Sequence, residues 1–348
     1  MRDRYVRPLD LKNGLIDLSH GAGGRAGAQL VGELFARHFD NEFLRQGDDG
    51  AVLPASTFGE RLVVSTDSHV VSPLFFPGGD IGCLSVHGTI NDVAVMGARP
   101  GALTAGFVIE EGFPLADLER IVASMAKASR DAGVPVVAGD TKVVEKGKGD
   151  GLFITTTGFG YLPADVSLSG TRARVGDVVL LSGSIGDHGM AIMSQREGLT
   201  FESQIKSDTA ALHTLVAAIL AQGAEVRCLR DPTRGGVATS LNEIAQQSGV
   251  GMLIDETAIP VKPEVAAACE FLGLDPLYVA NEGKLLAIVS PCDEAQVLAA
   301  MRAHPLGLAA VKIGMVQEDK HGFVQMTTSM GGRRIVDWLT GEQLPRIC

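Results

Sequence analysis

Short hydrophobic runs separated by single glycines and polar turns predict several strands in the first half of the chain. Leu62–Thr66 is predicted as a strand that leads into Asp67, and Val134–Ala138 as a strand that leads into Asp140. A third strand is predicted over Leu152–Gly160. We therefore expect both aspartates to lie at strand ends, where side chains from different strands can meet.

One helical pattern lies between these strands, over Leu115–Ala132. Its apolar residues recur every three or four positions, and Pro114 suits a first helical turn. The predicted buried face consists of Leu115, Leu118, Ile121, Val122, Met125 and Ala126. This mixture of strands and helix is typical of an α/β or α+β enzyme.

The pattern breaks at residues 162–176, where proline, serine and glycine collect before the predicted strand Asp177–Ser182. We place a domain junction there, which gives domains 1–162 and 163–335 and a tail, 336–348, that we expect to be mobile. In the second half, helices are predicted near 208–222, 236–248 and 263–272, and strands near 251–254, 284–289 and 308–316.

Composition supports two globular domains and excludes several classes of partner. With 348 residues, of which 45% are hydrophobic, the chain can bury two cores. The net charge of −11 opposes non-specific binding to nucleic acid or anionic lipid. The charged N-terminus lacks the apolar stretch of a signal peptide, and no apolar run approaches the roughly 20 residues of a membrane span. We expect a cytoplasmic protein.

The five cysteines are odd in number and dispersed, which argues against disulfides and against a zinc site. Cys348 differs from the others because it is the last residue, on a terminus that can carry its thiol to a distant cleft. It is not a prenylation site, since such a box places its cysteine where Pro345 stands. A carrier thiol and an accidental residue both remain open. The cysteines expected in cores are Cys83, Cys228, Cys269 and Cys292.

Acidic residues stand at predicted turns and strand ends. Hard oxygen ligands gathered in loops suit magnesium bound together with phosphate. Each aspartate alone can equally cap a turn or a helix. The candidates are Asp48, Asp49, Asp67, Asp92 and Asp140.

Two segments of the second half, 182–189 and 231–238, place glycines between a strand and a helix, where backbone amides can bind an anion. Either segment can also be a tight connection without a ligand. The earlier segment Gly21–Gly27 fits a relaxed dinucleotide-binding pattern with Asp40 downstream. Because Asp40 follows a helix end rather than a second strand, the dinucleotide fold is kept only as an alternative.

Five motifs taken together resemble the aminoimidazole ribonucleotide synthetase-like superfamily of ATP-using enzymes, over residues 14–340. The resemblance implies an α+β fold of two domains, each a mixed sheet covered by helices. The motifs are Gly-Asp-Asp at 47–49, Thr-Asp-Ser at 66–68, Asn-Asp-Val-Ala-Val-Met-Gly-Ala-Arg-Pro at 91–100, Gly-Asp-Thr at 139–141 and Asp-Pro-Thr-Arg-Gly-Gly-Val-Ala at 231–238.

Three further segments, 18–24, 184–189 and 345–348, resemble the carbamoyl dehydratases of hydrogenase maturation within that superfamily. This resemblance implies that ATP and Mg²⁺ are used to dehydrate an S-carbamoyl group on Cys348 to a thiocyanate, which supplies cyanide to the iron of [NiFe] hydrogenase. It also implies a carbamoyltransferase maturation protein as donor, an iron-carrying scaffold complex as acceptor, and a homodimer paired through N-terminal domains that bind ATP.

The same resemblance assigns roles to individual residues. Lys142 and Glu282 match positions implicated in removing protons from the carbamoyl nitrogen, although each can equally form a surface salt bridge. His20 and His188 are candidates for contacting phosphate or tail, or for a structural turn. Assigned to magnesium and the ATP phosphates are Asp48, Asp67, Asp92 and Asp140, with Asp49 as a second candidate and Asn91 and Gly139 shaping the site.

Three rival interpretations remain. Selenophosphate synthetase carries a reactive cysteine or selenocysteine near its N-terminal glycine-rich segment, whereas this chain has no cysteine before Cys83. Thiamine monophosphate kinase gives no reason for a terminal thiol. A non-catalytic scaffold whose tail docks to a partner would bind that partner without turning over ATP.

Overall fold

The computed structural model describes residues 8–21, 25–42, 61–198, 205–339 and 346–348. Within these ranges the chain forms nine α-helices and thirteen strands, most of them in two sheets. The helices are α1 (Arg25–Leu30), α2 (Ala36–Phe39), α3 (Ile81–Val95), α4 (Leu115–Ala132), α5 (Asp187–Arg196), α6 (His213–Leu220), α7 (Gly236–Ser248), α8 (Pro263–Leu272) and α9 (Glu294–Arg302). The strands are β1 (Leu62–His69), β2 (Phe75–Phe76), β3 (Gly79–Asp80), β4 (Arg99–Glu110), β5 (Val136–Val144), β6 (Leu152–Tyr161), β7 (Val178–Leu181), β8 (Val226–Arg230), β9 (Gly251–Asp255), β10 (Leu286–Val289), β11 (Val311–Gln317), β12 (Val324–Thr327) and β13 (Arg333–Ile335).

The first sheet has four strands in the order β1-β6-β4-β5, so β1 and β5 are its two edges. β4 and β5 run parallel, and the other pairs are antiparallel. α3 packs against β1, β4 and β6, and α4 packs against α3, so that the helices cover one face of the sheet. On the opposite face of β1, Leu62 and Val64 are each 52% exposed, which leaves an open apolar surface.

The predicted helix Leu115–Ala132 is confirmed as α4. Its apolar stripe, including Leu118 and Ile121, is fully buried, as an amphipathic helix over a sheet requires. The helix ends at Gly133, whose φ of 67° is the left-handed conformation that glycine adopts without strain. The strand predicted over Leu152–Gly160 is confirmed as β6.

Two predictions about the first sheet are wrong. Asp67 and Asp140 do not end their strands, because β1 continues to His69 and β5 to Val144. Nor does Asp92 lie at a turn or strand end, since it lies inside α3. This helix starts after Asp80, whose carboxylate accepts hydrogen bonds from the amides of Gly82 and Cys83.

The second sheet has seven strands in the order β13-β12-β9-β11-β7-β10-β8, of which only the β12–β9 pair is parallel. β7 is buried on both faces. Val179 and Leu181 join the core beneath α7, and Val178 and Leu180 join the core beneath α6 and α9. Burial on both faces explains why this strand is a continuous apolar run rather than an alternating one.

In the second half, the predicted helices 236–248 and 263–272 are confirmed as α7 and α8, and the helix near 208–222 is confirmed with the shorter limits of α6. The predicted strands correspond to β7, β9, β10 and β11. All five cysteines are free. The expected core position of Cys292 is wrong, because this side chain is exposed. Among the described helices, none combines the length and the apolar character needed to cross a membrane.

Candidate functional site

The site begins where the inner face of β1 meets α3. Ser65, Asp67 and His69 alternate along β1 and point toward the helix. Ser65 donates a 2.7 Å hydrogen bond to Asp92 Oδ2. A side chain at Gly88, one turn before Asp92, would lie 3.0 Å from His69 Nε2 and 3.6 Å from Asp67 Oδ2. The bare helix surface at Gly88 therefore lets the polar side chains of β1 approach α3.

His69 and Asp67 form a polar pair on this surface, with 3.3 Å between Nε2 and Oδ2. His69 is buried, and burial lowers its pKa more than the neighbouring Asp67 charge raises it, so the ring is neutral at physiological pH. The buried ring therefore stands beside the Asp67 carboxylate without a charge of its own. Burial, together with the charge of Asp67, raises the pKa of Asp92 despite the hydrogen bond from Ser65.

The second domain closes the site with the loop that carries Glu282. Asn91 on α3 donates from Nδ2 to the Glu282 carbonyl at 3.3 Å and to the Ala210 carbonyl at 3.0 Å. Its Oδ1 accepts a 2.7 Å bond from the Leu212 amide. Asn91 is 1% exposed, and its hydrogen bonds fix the backbone of this loop to the first domain.

Three buried contacts hold the same loop from within the second domain. The Asp208 carboxylate accepts hydrogen bonds from the amides of Glu282 and Gly283. It also forms an ion pair with Lys284, with 2.9 Å between Oδ2 and Nζ. A Cβ at Gly283 would lie 1.8 Å from the Asp208 carbonyl oxygen, so this approach requires glycine. Burial alone would raise the pKa of Asp208, but the charge of Lys284 and the nearby His188 lower it overall.

Asn281 joins the Glu282 loop to the motif at 231–238. Its amide and its Nδ2 donate to the Pro232 carbonyl at 3.1 and 2.9 Å, and its Oδ1 accepts a 2.8 Å bond from the Gly186 amide. The side chains of Asp231 and Glu282 thereby share one buried region. Burial and the charge of Asp92 raise the pKa of Asp231 to about 7.

Glu282 is 3% exposed and is the most strongly perturbed acid of the site. Burial raises its pKa well above the ordinary value, and the charges of Asp231, Asp208, Asp67 and Asp92 raise it further. Within the part of the chain that the structure describes, its Oε1 is buried without a hydrogen-bond partner. A carboxyl group in this state can accept a proton near neutral pH.

The end of the chain docks beside Glu282. The amide of Val70 donates to a terminal carboxylate oxygen of Cys348 and the amide of Ser72 donates to the Arg346 carbonyl, both at 3.1 Å. Ile347 is 3% exposed and packs into the core of the first domain. The tail residues thus extend β1 beyond its end with two strand-like hydrogen bonds.

The docked position encloses the terminal thiol. The Cys348 thiol lies close to Glu282, and burial and the Glu282 charge raise its pKa well above the ordinary value. The Arg234 charge opposes this shift in part. A protonated thiol is a poor nucleophile, so this position suits a group already carried on sulfur better than the loading of the sulfur.

His188 contacts the tail, which was one of the two contacts predicted for it. Its Nε2 lies 2.8 Å from the Ile347 carbonyl oxygen and its Nδ1 lies 2.7 Å from Ser207 Oγ. His20, by contrast, lies in a short 3-10 turn and pairs with Asp17 of the same turn. That turn contacts β5, which is the edge strand of the first sheet opposite β1.

Asp140, Lys142 and Gly139 also lie on β5, apart from the cluster around Cys348. In strand register, Asp140 aligns with Gly106 of β4 and, through β6, with Ser68 of β1. Three strand spacings of about 4.8 Å place β5 roughly 14 Å from β1. The side chains of Asp140 and Lys142 are 71% and 66% exposed, with 3.4 Å between Oδ2 and Nζ. A Cβ at Gly139 would lie 2.5 Å from the Ala105 carbonyl oxygen, so the residue is glycine because two strands meet there.

The predicted ligands Asp48 and Asp49 lie outside the described residues. Among the described residues, no three His, Cys, Asp or Glu side chains are grouped so as to bind one metal ion. Asp67 and Asp92 still fit the usual magnesium arrangement, in which one or two carboxylates act together with phosphate oxygens. Their mutual repulsion, which contributes to the raised pKa of Asp92, is what a bound cation would relieve.

Sequence reasoning left four residues out of the predicted site. Asp231 and Arg234 belong to the motif at 231–238. Asp231 directly follows β8, and an acid at the end of a strand is the same signal that indicated the other candidate aspartates. His69 follows Asp67 by two residues, which places both side chains on one face of a strand. Arg196 gave no signal, because its contacts with the tail and with Ser72 are to main-chain carbonyls.

The chain belongs to the AIR synthase related proteins, whose N-terminal domain matches residues 47–162 and whose C-terminal domain matches residues 174–327. It is 66% identical over 344 residues to the carbamoyl dehydratase HypE of Cupriavidus necator, covering 99% of this chain and 98% of that protein. Within the wider group, the chain belongs to the HypE family of carbamoyl dehydratases. The predicted superfamily, fold class and enzyme class are thereby confirmed.

Two solved structures are similar over almost the whole chain. The crystal structure of hydrogenase maturation protein HypE in complex with ATP shares 50% identity and a TM-score of 0.91, covering 95% of this chain and 99% of that one. The crystal structure of a HypE–HypF complex shares 50% identity and a TM-score of 0.78, covering 89% of this chain and 99% of that one.

Proposed function

We propose that this chain uses ATP to dehydrate a carbamoyl group carried on the sulfur of Cys348, releasing ADP and phosphate and leaving a thiocyanate. One observation carries the proposal, which is that the C-terminal thiol is docked against buried Glu282 at the junction of the two domains. Membership of the HypE family and the ATP complex of a similar HypE support the same reaction.

The chemistry assigns a task to each part of the site. The carbamoyl oxygen attacks the terminal phosphorus of ATP, ADP departs, and the oxygen can then leave as phosphate rather than as hydroxide. The nitrogen must lose both of its protons before the carbon–nitrogen triple bond is complete. Glu282, next to the sulfur and with a raised pKa, is placed to accept one of them.

Asp67 and Asp92 would hold magnesium, with Asp48 and Asp49 as further predicted ligands. Bound there, the cation supplies charge neutralisation for the phosphoryl group in transfer. The chain's own contribution is positional. Ser65 and His69 fix the two carboxylates, and Asn91 fixes the Glu282 loop beside them.

Asp140, Lys142 and His20 fit this reaction best in a homodimer. The first sheet has an open face, with exposed Leu62 and Val64 near the β1 edge, so it can pair with the same sheet of a second chain. Such pairing can bring β5 of one chain toward β1 of the other. Lys142 would then act on the second nitrogen proton at a site completed by two chains.

The proposed partners follow from the chemistry of loading and delivery. A HypF-type carbamoyltransferase loads Cys348, as the HypE–HypF complex of a similar chain supports. An iron-carrying HypC/HypD-type scaffold accepts the cyanide in the cytoplasm. Both exchanges require the enclosed thiol to leave its docked position.

The test is the mass of the C-terminal peptide after incubation with a HypF-type carbamoyltransferase, carbamoyl phosphate and magnesium-ATP. We expect a carbamoyl adduct on Cys348 that then loses one water, and no adduct in Cys348→Ala. An adduct that persists while ATP stays intact would favour a scaffold whose tail only docks. A tail that is never modified, although the donor loads a known acceptor, would reject the carrier role.

A further inference from the structure

The docked tail is held almost entirely through its main chain. Two carbonyl oxygens, those of Arg346 and Ile347, and a terminal carboxylate oxygen of Cys348 accept hydrogen bonds from the body of the protein. The side-chain contacts are burial of Ile347 and an ion pair between Arg346 and Asp150. The side chain of Cys348 packs at the margin of the first-domain core and lies close to Glu282.

The ring of His188 is oriented to donate a hydrogen bond to the main chain of the tail. The Ile347 carbonyl can only accept, so Nε2 carries the hydrogen and Nδ1 accepts from the Ser207 hydroxyl. Ser207 Oγ in turn accepts from the Thr209 amide at 3.1 Å, which orients its hydroxyl toward the ring. The ring is fully buried, and its edge packs against Phe76 at 5.5 Å. Its direction is therefore fixed in part by contacts that do not involve the tail.

Arg196 makes the second connection. Its guanidinium donates to the Arg346 carbonyl at 2.9 Å and, through Nε, to the Ser72 carbonyl at 3.1 Å. Ser72 is the residue whose own amide donates to Arg346. Arg196 therefore spans the tail and the segment after β1, at the last residue of α5, the helix whose first turn carries His188.

We infer that His188 and Arg196 form a tail latch, a pair of positioning residues that recognises the main-chain carbonyls of residues 346 and 347 and places the sulfur of Cys348 at Glu282. Because neither residue contacts the sulfur, the latch holds the tail whether that sulfur is free, carbamoylated or cyanated. Release between steps then depends on the partners rather than on loss of recognition. The role in catalysis rests on the proposed function, whereas the latch itself does not.

The test uses alkylation of the full-length chain by iodoacetamide, which needs neither ATP nor a carbamoyl donor. Cys292 is the exposed competing thiol, so the background variant is Cys292→Ser. Peptide mass spectrometry separates Cys348 from the remaining cysteines. When the docked thiol is shielded, the rate at Cys348 is proportional to the undocked fraction.

We expect His188→Ala to raise the alkylation rate of Cys348 about tenfold and Arg196→Ala about ten- to a hundredfold, because a bond from a charged donor contributes more than one from a neutral donor. His188→Gln and Arg196→Lys each keep a donor and should restore part of the protection. Arg172→Ala, which removes a surface arginine bonded to Ser167, is the matched control and should change nothing.

A second readout separates the latch from loosening of the fold and from ATP binding. Buried Cys228 should stay protected in every variant, and in carbamoylated protein the latch variants should slow dehydration without changing the ATP concentration for half-maximal rate. Equal alkylation of Cys348 in wild type and both alanine variants would overturn the latch. The latch would also be overturned if the variants accelerated alkylation of Cys228 as much as that of Cys348, or if they changed only the ATP concentration for half-maximal rate.

Discussion

Each edge strand of the first sheet carries an aspartate that was predicted to belong to the site, but the two aspartates differ in their surroundings. At the β1 edge, Asp67 lies against α3 beneath the Glu282 loop and the docked tail. At the β5 edge, the side chain of Asp140 is 71% exposed beside Lys142. The difference shows that the two aspartates lie in separate environments of one chain, since the side chain of Asp67 is 33% exposed and its charge acts on Glu282. The proposed role of the exposed edge requires a second chain.

The largest effect should come from the buried edge. Glu282→Gln keeps the size of the side chain but cannot accept a proton. We expect dehydration of carbamoylated Cys348 to slow by about two to four orders of magnitude, the usual contribution of a general base. A single-turnover time course of the tail mass measures this. Glu294→Gln, which removes an exposed acid paired with Lys312, is the control. An unchanged rate in Glu282→Gln would contradict the assignment.

The second prediction tests whether the exposed edge serves the partner's site. Asp67→Asn and Asp140→Asn should each reduce dehydration at least about tenfold, because each would remove a contact to magnesium or phosphate. Mixing the two inactive variants should restore about a quarter of wild-type activity, since half of the dimers are then mixed and each has one intact site. No recovery in a mixture shown to exchange subunits would place both aspartates in one chain's site.

The third prediction concerns the link between the two domains. Asn91→Ala leaves the Leu212 amide and two buried carbonyls unpaired, and should lower the free energy of unfolding by about 2–4 kcal/mol and slow dehydration. Chemical denaturation and the single-turnover assay measure the two effects. Asn242→Ala is matched, because this buried asparagine bonds Ala238 and Val336 away from the site. Asn242→Ala should lower the free energy of unfolding without slowing dehydration to a comparable degree.

The fourth prediction concerns a pH dependence of stability at the buried edge. Folding raises the pKa of Asp231 to about 7, so the carboxyl favours the folded state below its unfolded pKa, and this contribution is lost as pH rises to 7. We expect Asp231→Asn to be more stable than wild type, by an amount that grows from about pH 4 to 7. This difference in the free energy of unfolding should reach about 4 kcal/mol and stay constant above about pH 7.

Denaturation at several pH values measures this gain. Asp255→Asn is the opposite control, because hydrogen bonds from Thr257 lower the pKa of Asp255. A constant difference between wild type and Asp231→Asn across pH 4 to 8 would show that Asp231 is not destabilised by its surroundings.

The elements that the sequence predicted well have one buried and one exposed face. α4 was predicted to the residue because its apolar stripe faces the sheet and its polar side faces water. α3 was missed because it is buried on almost all sides, so it shows no period, and it contains Gly82 and Gly88, which are poor helix formers. The strand limits at Asp67 and Asp140 were wrong because exposed polar residues continue both edge strands.

The site was predictable to the extent that its chemistry lies in side chains. Motif resemblance indicated Asp67, Asp92 and Glu282, and the structure places Asp67 and Glu282 near the thiol of Cys348 and Asp92 near Glu282. The docking of the tail was not predictable, because it depends on main-chain carbonyls that every residue carries. The assignments of Asp140, Lys142 and His20 stay predictions that depend on a second chain.

The central claim is that the carbamoyl group on Cys348 is dehydrated by transfer of its oxygen to phosphate. The most direct measurement loads the tail with a carbamoyl group that carries a heavy-oxygen label, adds magnesium-ATP, and follows the label during one turnover. The account predicts that the label appears in inorganic phosphate as the tail loses one water. Label recovered in water, with unlabelled phosphate, would contradict activation of the carbamoyl oxygen by ATP.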